Sequence, residues 1–220
     1  MGGFLRCNLF YGVDHQQVYD ALDEFWQSQQ YRLAGADSSV KDCYTLHQHD
    51  NGWTVLEWTR GWEWDLRRRA QLHVSRTYAC SGLLTFVYDG DLWGYELFHH
   101  GREVDHFVQW TEAGHGFFHD RPRTGRPDLL VAQFPDLGLN LEHARGYLTS
   151  VSIDDDSFED FYWSDNDPRN SPVGAGDRCG RLDAYAVRDF WRFLGVVPDD
   201  NPTPDLFAAP VWRRFTTELK

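Results

Sequence analysis

Hydrophobic positions along this chain switch between two periods, and the switches mark its elements. Val18, Leu22, Phe25 and Trp26 recur at i, i+4, i+7 and i+8 through DHQQVYDALDEFWQSQQ, so they share one face of a helix. Asp14 stands at the N-cap, and Gln17 three residues later completes a capping box. The apolar run LRCNLFYG ahead of it reads as a first strand. In DCYTLHQHDNGWTVLEWTR two alternating runs flank Asn51-Gly52, a pair that tolerates the positive φ of a tight hairpin. Leu66, Ala70, Val74 and Tyr78 return to helical spacing, with Gly82 beyond the end. GLLTFVYDG, LWGYELFHHG and EVDHFVQ follow as three strands. The order β-α-β-β-α-β with two further strands predicts an α+β fold, a ferredoxin-like split β-α-β antiparallel sheet with an added hairpin and C-terminal helices.

Past Val108 the pattern loosens. TEAGHGFFHDRPRTGRP is glycine- and arginine-rich and reads as a long loop, and a short helical pattern follows in PDLLVAQFPDLGLNLEHARGYL. DDDSFEDFYWSDNDPRNSPVGAGDRCG is acidic and turn-rich. RLDAYAVRDFWRFLG is an amphipathic helix with Leu182, Tyr185, Ala186, Phe190, Phe193 and Leu194 on one face and Gly195 at its end. In the tail, Thr203 and Pro204 fit the cap and first turn of a last short helix, kinked at Pro210. The expected organisation is an α+β core over residues 1–110 and a loop-rich, helical part over 111–220 packed on it, or one domain across 1–220.

Composition narrows the function. The net charge of −13 argues against a nucleic-acid binder, whose affinity rests on neutralising phosphates. No segment reaches the roughly 18 consecutive apolar residues of a membrane span. Cys7, Cys43, Cys80 and Cys179 are isolated from one another, which suits buried free thiols in a reducing cytoplasm rather than a zinc site or a disulfide framework. No G-x-S-x-G, Walker A, H-E-x-x-H or G-x-G-x-x-G motif occurs, and nothing calls for a cofactor.

Four clusters are candidates for chemistry. His99, His106 and His115 with Asp105 offer ligands for zinc, nickel or copper and would support a metal-dependent hydrolase, although solvated, hydrogen-bonding histidines are the default reading. Arg67, Arg68, Arg69 and Arg76 lie on one helix, where they either grip a phosphate or carboxylate or form a solvated face. Asp154, Asp155, Asp156 and Asp160 surround Phe158 and Trp163. That mixture of acids and aromatics fits a contact with a basic protein surface and lacks the register of a calcium loop. Trp93 and Trp191 would wall a small-ligand pocket. The hairpin tip from His99 to Arg102 is a second candidate contact.

The segments GWTVLEWTRGWEW, GLLTFVYDGDLWGYELFHHGREVDHFVQ and GDRCGRLDAYAVRDFWRFLGV carry D-x-D-x-x-x-Y-x-L followed by G-x-x-x-D-x-F. They resemble a family of uncharacterised bacterial proteins, and in size and acidity the chain is loosely similar to immunity proteins that neutralise bacterial toxins. The resemblance implies no catalytic residue. The expectation is a binding protein with a protein partner, with no membrane and no nucleic acid involved.

Overall fold

The computed structural model describes residues 5–29, 31–33, 43–58, 64–88, 92–110, 124–150, 170–196 and 213–219. Their order is β1 (Leu5–Tyr11), α1 (His15–Ser28), β2 (Tyr31–Leu33), β3 (Cys43–Gln48), β4 (Trp53–Trp58), α2 (Trp64–Thr77), β5 (Ser81–Tyr88), β6 (Leu92–His99), β7 (Arg102–Val108), α3 (Pro127–Gln133), α4 (Leu141–Tyr147), α5 (Ala186–Phe193) and β8 (Arg213–Leu219). A single 3-10 turn at Pro135–Leu137 links α3 to α4. The fold is mixed α+β, and the strands run in the order β2-β8-β3-β4-β1-β5-β6-β7. No helix among the described residues is long and apolar enough to cross a membrane.

The capping box is present: the Asp14 side chain accepts from the Gln17 backbone, and the Gln17 side chain accepts from the backbone of Asp14. The Asn51-Gly52 hairpin also forms, with Gly52 at φ +89°. The tail is a correction. Where a last helix is expected, Arg213–Leu219 is a strand, antiparallel to both β3 and β2. Its partners lie too far away in sequence for a local pattern to reveal. The C-terminal helix is shorter than its sequence pattern, beginning at Ala186, and Tyr185 is exposed rather than on the buried face.

By internal contacts the chain forms two compact units. Unit 2 comprises residues 6–84, 97–104 and 200–220. In it β1 pairs with β4 from Cys7 opposite Glu57 to Tyr11 opposite Trp53, and β3 pairs with β4 from Tyr44 opposite Trp58 to Gln48 opposite Thr54. Val18, Leu22, Phe25 and Trp26 of α1 pack with Ala70 and Val74 of α2 and with Phe10, Tyr44, Leu56 and Trp58 of the strands. One polar network interrupts this core. The Asn8 amide donates to Gln71 Oε1 at 2.7 Å, and the Trp58 indole N–H donates to Asn8 Oδ1. A buried amide with its donor and acceptor both used fixes the register of β1 against α2 rather than adding much net stability.

Unit 1 comprises residues 1–5, 85–96 and 105–199. Its core is aromatic. Phe190 of α5 stacks on Tyr95 at 5.7 Å and touches Trp93 at 5.1 Å and Tyr147 at 5.7 Å, while Phe107 packs on Trp93 at 5.0 Å. Gln109 ties a distant loop to this core. Its side-chain oxygen accepts from the Trp93 backbone at 3.2 Å, and its amide donates to the carbonyls of Arg181 at 2.6 Å and Asp183 at 3.3 Å.

Candidate functional site

Burying one face of α1 fixes what the other face shows. With Val18, Ala21, Leu22, Phe25 and Trp26 turned inward, the outward stripe is Gln16, Asp20, Asp23, Glu24 and Gln27, with the Asp14 cap at its start. Gln16 donates to Asp20 at 2.7 Å and Gln27 to Asp23 at 2.8 Å, one helical turn apart in each case. No lysine or arginine occurs in α1 to offset the carboxylates.

Beside this stripe lies Tyr78, just past the end of α2 and packed on the core by its ring. Its phenol is pushed upward by burial first and then by the charges of Asp20, Glu24 and Asp14. Three carboxylates at α1 thus disfavour ionisation of this phenol. His73 of α2 borders the same face, its Nε2 3.8 Å from Glu24, with burial holding its basicity below the ordinary value. An anionic stripe beside a half-buried phenol is chemically complementary to lysine or arginine side chains, by charge and by cation–π contact.

The helix arginines serve the protein internally. Arg68 is paired with Glu103 and lies over Phe98, Arg67 is buried over Trp58, and Arg69 bonds Gln29 and lies over Phe25. Burial, with Arg6 nearby, lowers Arg67 to about 10.

The residues proposed for a metal are placed as follows. Asp105 accepts from the Tyr95 hydroxyl and from the Arg126 backbone, each at 2.8 Å; burial raises its carboxyl above the usual range despite those donors. His106, its neighbour on β7, is buried, and adjacent strand residues project to opposite faces. His99 meets the Ser81 hydroxyl through Nδ1 at 2.8 Å and stacks on His100 at 3.8 Å. His115 lies outside the described residues. Among the described residues no group of three His, Cys, Asp or Glu side chains is disposed to hold a metal ion.

Trp93 and Trp191 both belong to the core of unit 1. The space beside Trp93 is filled by Phe107 and Phe190, and the Trp191 indole donates to Thr85 Oγ1 at 3.2 Å. Asp154, Asp155, Asp156, Phe158, Asp160 and Trp163 lie outside the described residues.

A second polar cluster, invisible in the sequence, sits in unit 1. Asp177 accepts from the Gly174 backbone at 2.6 Å and stands 3.6 Å from Nε2 of His143, which stacks on Tyr147. Gly174 is required there, since a Cβ would fall 2.5 Å from that nitrogen. The fully buried Asp189 accepts from the backbones of Arg178 and Cys179 and pairs with Arg192. Burial, followed by the charges of Asp183 and Asp189, pushes the Cys179 thiol up to about 12, and burial pushes Cys80 up to about 12 as well. These cysteines are held as thiols, the unreactive form.

Comparison of the chain with protein-family models, with curated proteins and with solved structures gave no match.

Proposed function

We propose that this protein acts by binding a basic protein partner, in the manner of an immunity protein, within a reducing cytoplasm. The observation that carries the reading is the acidic face of α1, Asp20, Asp23 and Glu24 with the Asp14 cap and no lysine or arginine in the helix, beside the half-buried Tyr78, on a chain of net charge −13. A half-buried aromatic beside an acidic helix face supplies an anchor for a contact and the carboxylates supply steering. Asp154, Asp155, Asp156, Phe158, Asp160 and Trp163 carry the same chemistry and are proposed as a second contact. The strand order β3-β4-β1-β5, with helices after β1 and after β4, supports a ferredoxin-like frame for the α1 and α2 pair.

The test is capture of native proteins on the immobilised chain at low and high salt, with Asp20→Asn/Asp23→Asn/Glu24→Gln as one variant and Asp154→Asn/Asp155→Asn/Asp156→Asn as another. The reading expects a basic protein that is retained at low salt, released at high salt, and lost with at least one variant. Capture that ignores both salt and variants would sink it.

A further inference from the structure

α4 carries His143 and Tyr147 one helical turn apart, and their rings stack at 5.1 Å, 19° from parallel. Phe193 of α5 lies 5.0 Å from the imidazole and 5.6 Å from the phenol ring, so packing sets the orientation of both. Asp177 meets them from the loop ahead of α5. Its Oδ2 is aimed by the Gly174 N–H at 2.6 Å and stands 3.6 Å from His143 Nε2. Two glycines let this loop lie against α4. A Cβ on Gly146 would meet Val173 at 2.2 Å, and one on Gly174 would fall 2.5 Å from Nε2 and 3.5 Å from Oδ2. All of these residues belong to unit 1.

Two of the polar atoms here are buried yet unsatisfied. Nε2 of His143 makes no hydrogen bond, because its carboxylate neighbour stands beyond the ordinary reach of roughly 3.2 Å. The Tyr147 hydroxyl, buried near Asp177, makes none of ordinary length either. Groups kept apart in this way call for something between them. The spacing suits a metal ion. Two ligand atoms each about 2.1 Å from one zinc ion subtend about 120° when they are 3.6 Å apart, close to a tetrahedral angle. We propose that His143 Nε2, Asp177 Oδ2 and the Tyr147 hydroxyl form a zinc site that clamps the loop at residues 174–177 onto α4. The Gly174 N–H is then the outer contact that orients the carboxylate. Three protein donors leave the fourth position to water. Only two of the three are of the types His, Cys, Asp and Glu, in keeping with the lack of a triad of those types among the described residues. The site shares no residue with the histidines of β6 and β7 and does not depend on the acidic face of α1.

The test uses the full chain without a histidine tag, stripped by a chelator, then titrated with zinc by calorimetry and with cobalt(II) by visible absorption. The expected result is a single equivalent of zinc. Asp177→Asn keeps an acceptor for the Gly174 N–H and removes the carboxylate, and should weaken zinc at least about tenfold. Tyr147→Phe keeps the ring stack and should change the spectrum of the bound cobalt. His99→Gln should change neither readout. The inference is overturned by the absence of a one-equivalent site, by an Asp177→Asn affinity equal to the wild type, by an unchanged Tyr147→Phe spectrum, or by loss of the site in His99→Gln. If a variant does not fold, paramagnetic shifts in cobalt-loaded wild type decide: the largest at His143 and Tyr147 support the site, and the largest elsewhere overturn it.

Discussion

In unit 2 burial acts on bases as well as acids: His47, His49, His73 and His99 are all held below the ordinary histidine value, in each case chiefly because a charged ring would lose its water, while Cys7, Tyr44, Tyr78 and Cys80 are pushed upward. In unit 1 burial acts on acids, pushing Asp105, Tyr95, Tyr147 and Cys179 upward. The physics is one rule, that low polarity disfavours the charged form, yet its consequence depends on which groups a core contains. A core holding neutral imidazoles is threatened by protons. A core holding carboxyl and phenol groups keeps them protonated or surrounds them with donors, as Asp105 and Asp189 are surrounded. The two units should therefore part company on acidification.

The largest effect that would sharpen this contrast is Phe190→Ala. Phe190 joins Trp93, Tyr95 and Tyr147, and its removal should cost between about 3 and 5 kcal/mol by chemical denaturation. Hydrogen exchange should place the loss in unit 1; a loss spread evenly over both units would erase the division.

Acid is next. His47 is fully buried and lowered from 6.5 to about 4, so the stability its burial supports is present above 6.5 and drains as pH falls toward 4. A shift of that size corresponds to about 3 kcal/mol. Exchange measured between pH 7 and 4 should show unit 2 losing protection first, and His47→Leu should flatten the dependence.

Smaller is Asp105→Ala, which strands the Tyr95 hydroxyl and the Arg126 N–H and should cost about 2 kcal/mol by thermal or chemical melting. Asp105→Asn should recover most of that, because an amide oxygen still accepts and no charge is buried. Its sign with pH is opposite to that of His47: the raised carboxyl favours the folded state below 3.8 and loses that advantage as pH rises through its folded value.

Smallest is Asp14→Ala, which removes the cap of α1 and should lower the melting stability by about 1 kcal/mol. A smaller loss would mean that relief of carboxylate repulsion on the α1 face offsets the lost cap.

Legibility in the sequence followed distance along the chain. The Asp14 capping box, the buried stripe of α1 and the Asn51-Gly52 hairpin rest on neighbours within a few residues, and periodicity exposes them. β8 pairs with β3 and β2 from the far end of the chain, so its local pattern competed with helix signals at Thr203 and Pro204 and lost. The acidic stripe of α1 was readable once its buried face was known, whereas the part played by Tyr78 depended on two helices meeting. His143 and Asp177 come together through a loop that only Gly174 permits, and no spacing rule relates them.

Gln109 joins a short-range contact to a long-range one: its oxygen is held by the backbone of Trp93 across the hairpin, and its amide holds the carbonyls of Arg181 and Asp183 more than seventy residues away. The segment around 181–183 thus gains these partners through a long loop closure that follows hairpin formation. It should be late to form when the chain folds, and among the first parts of unit 1 to let go when it breathes.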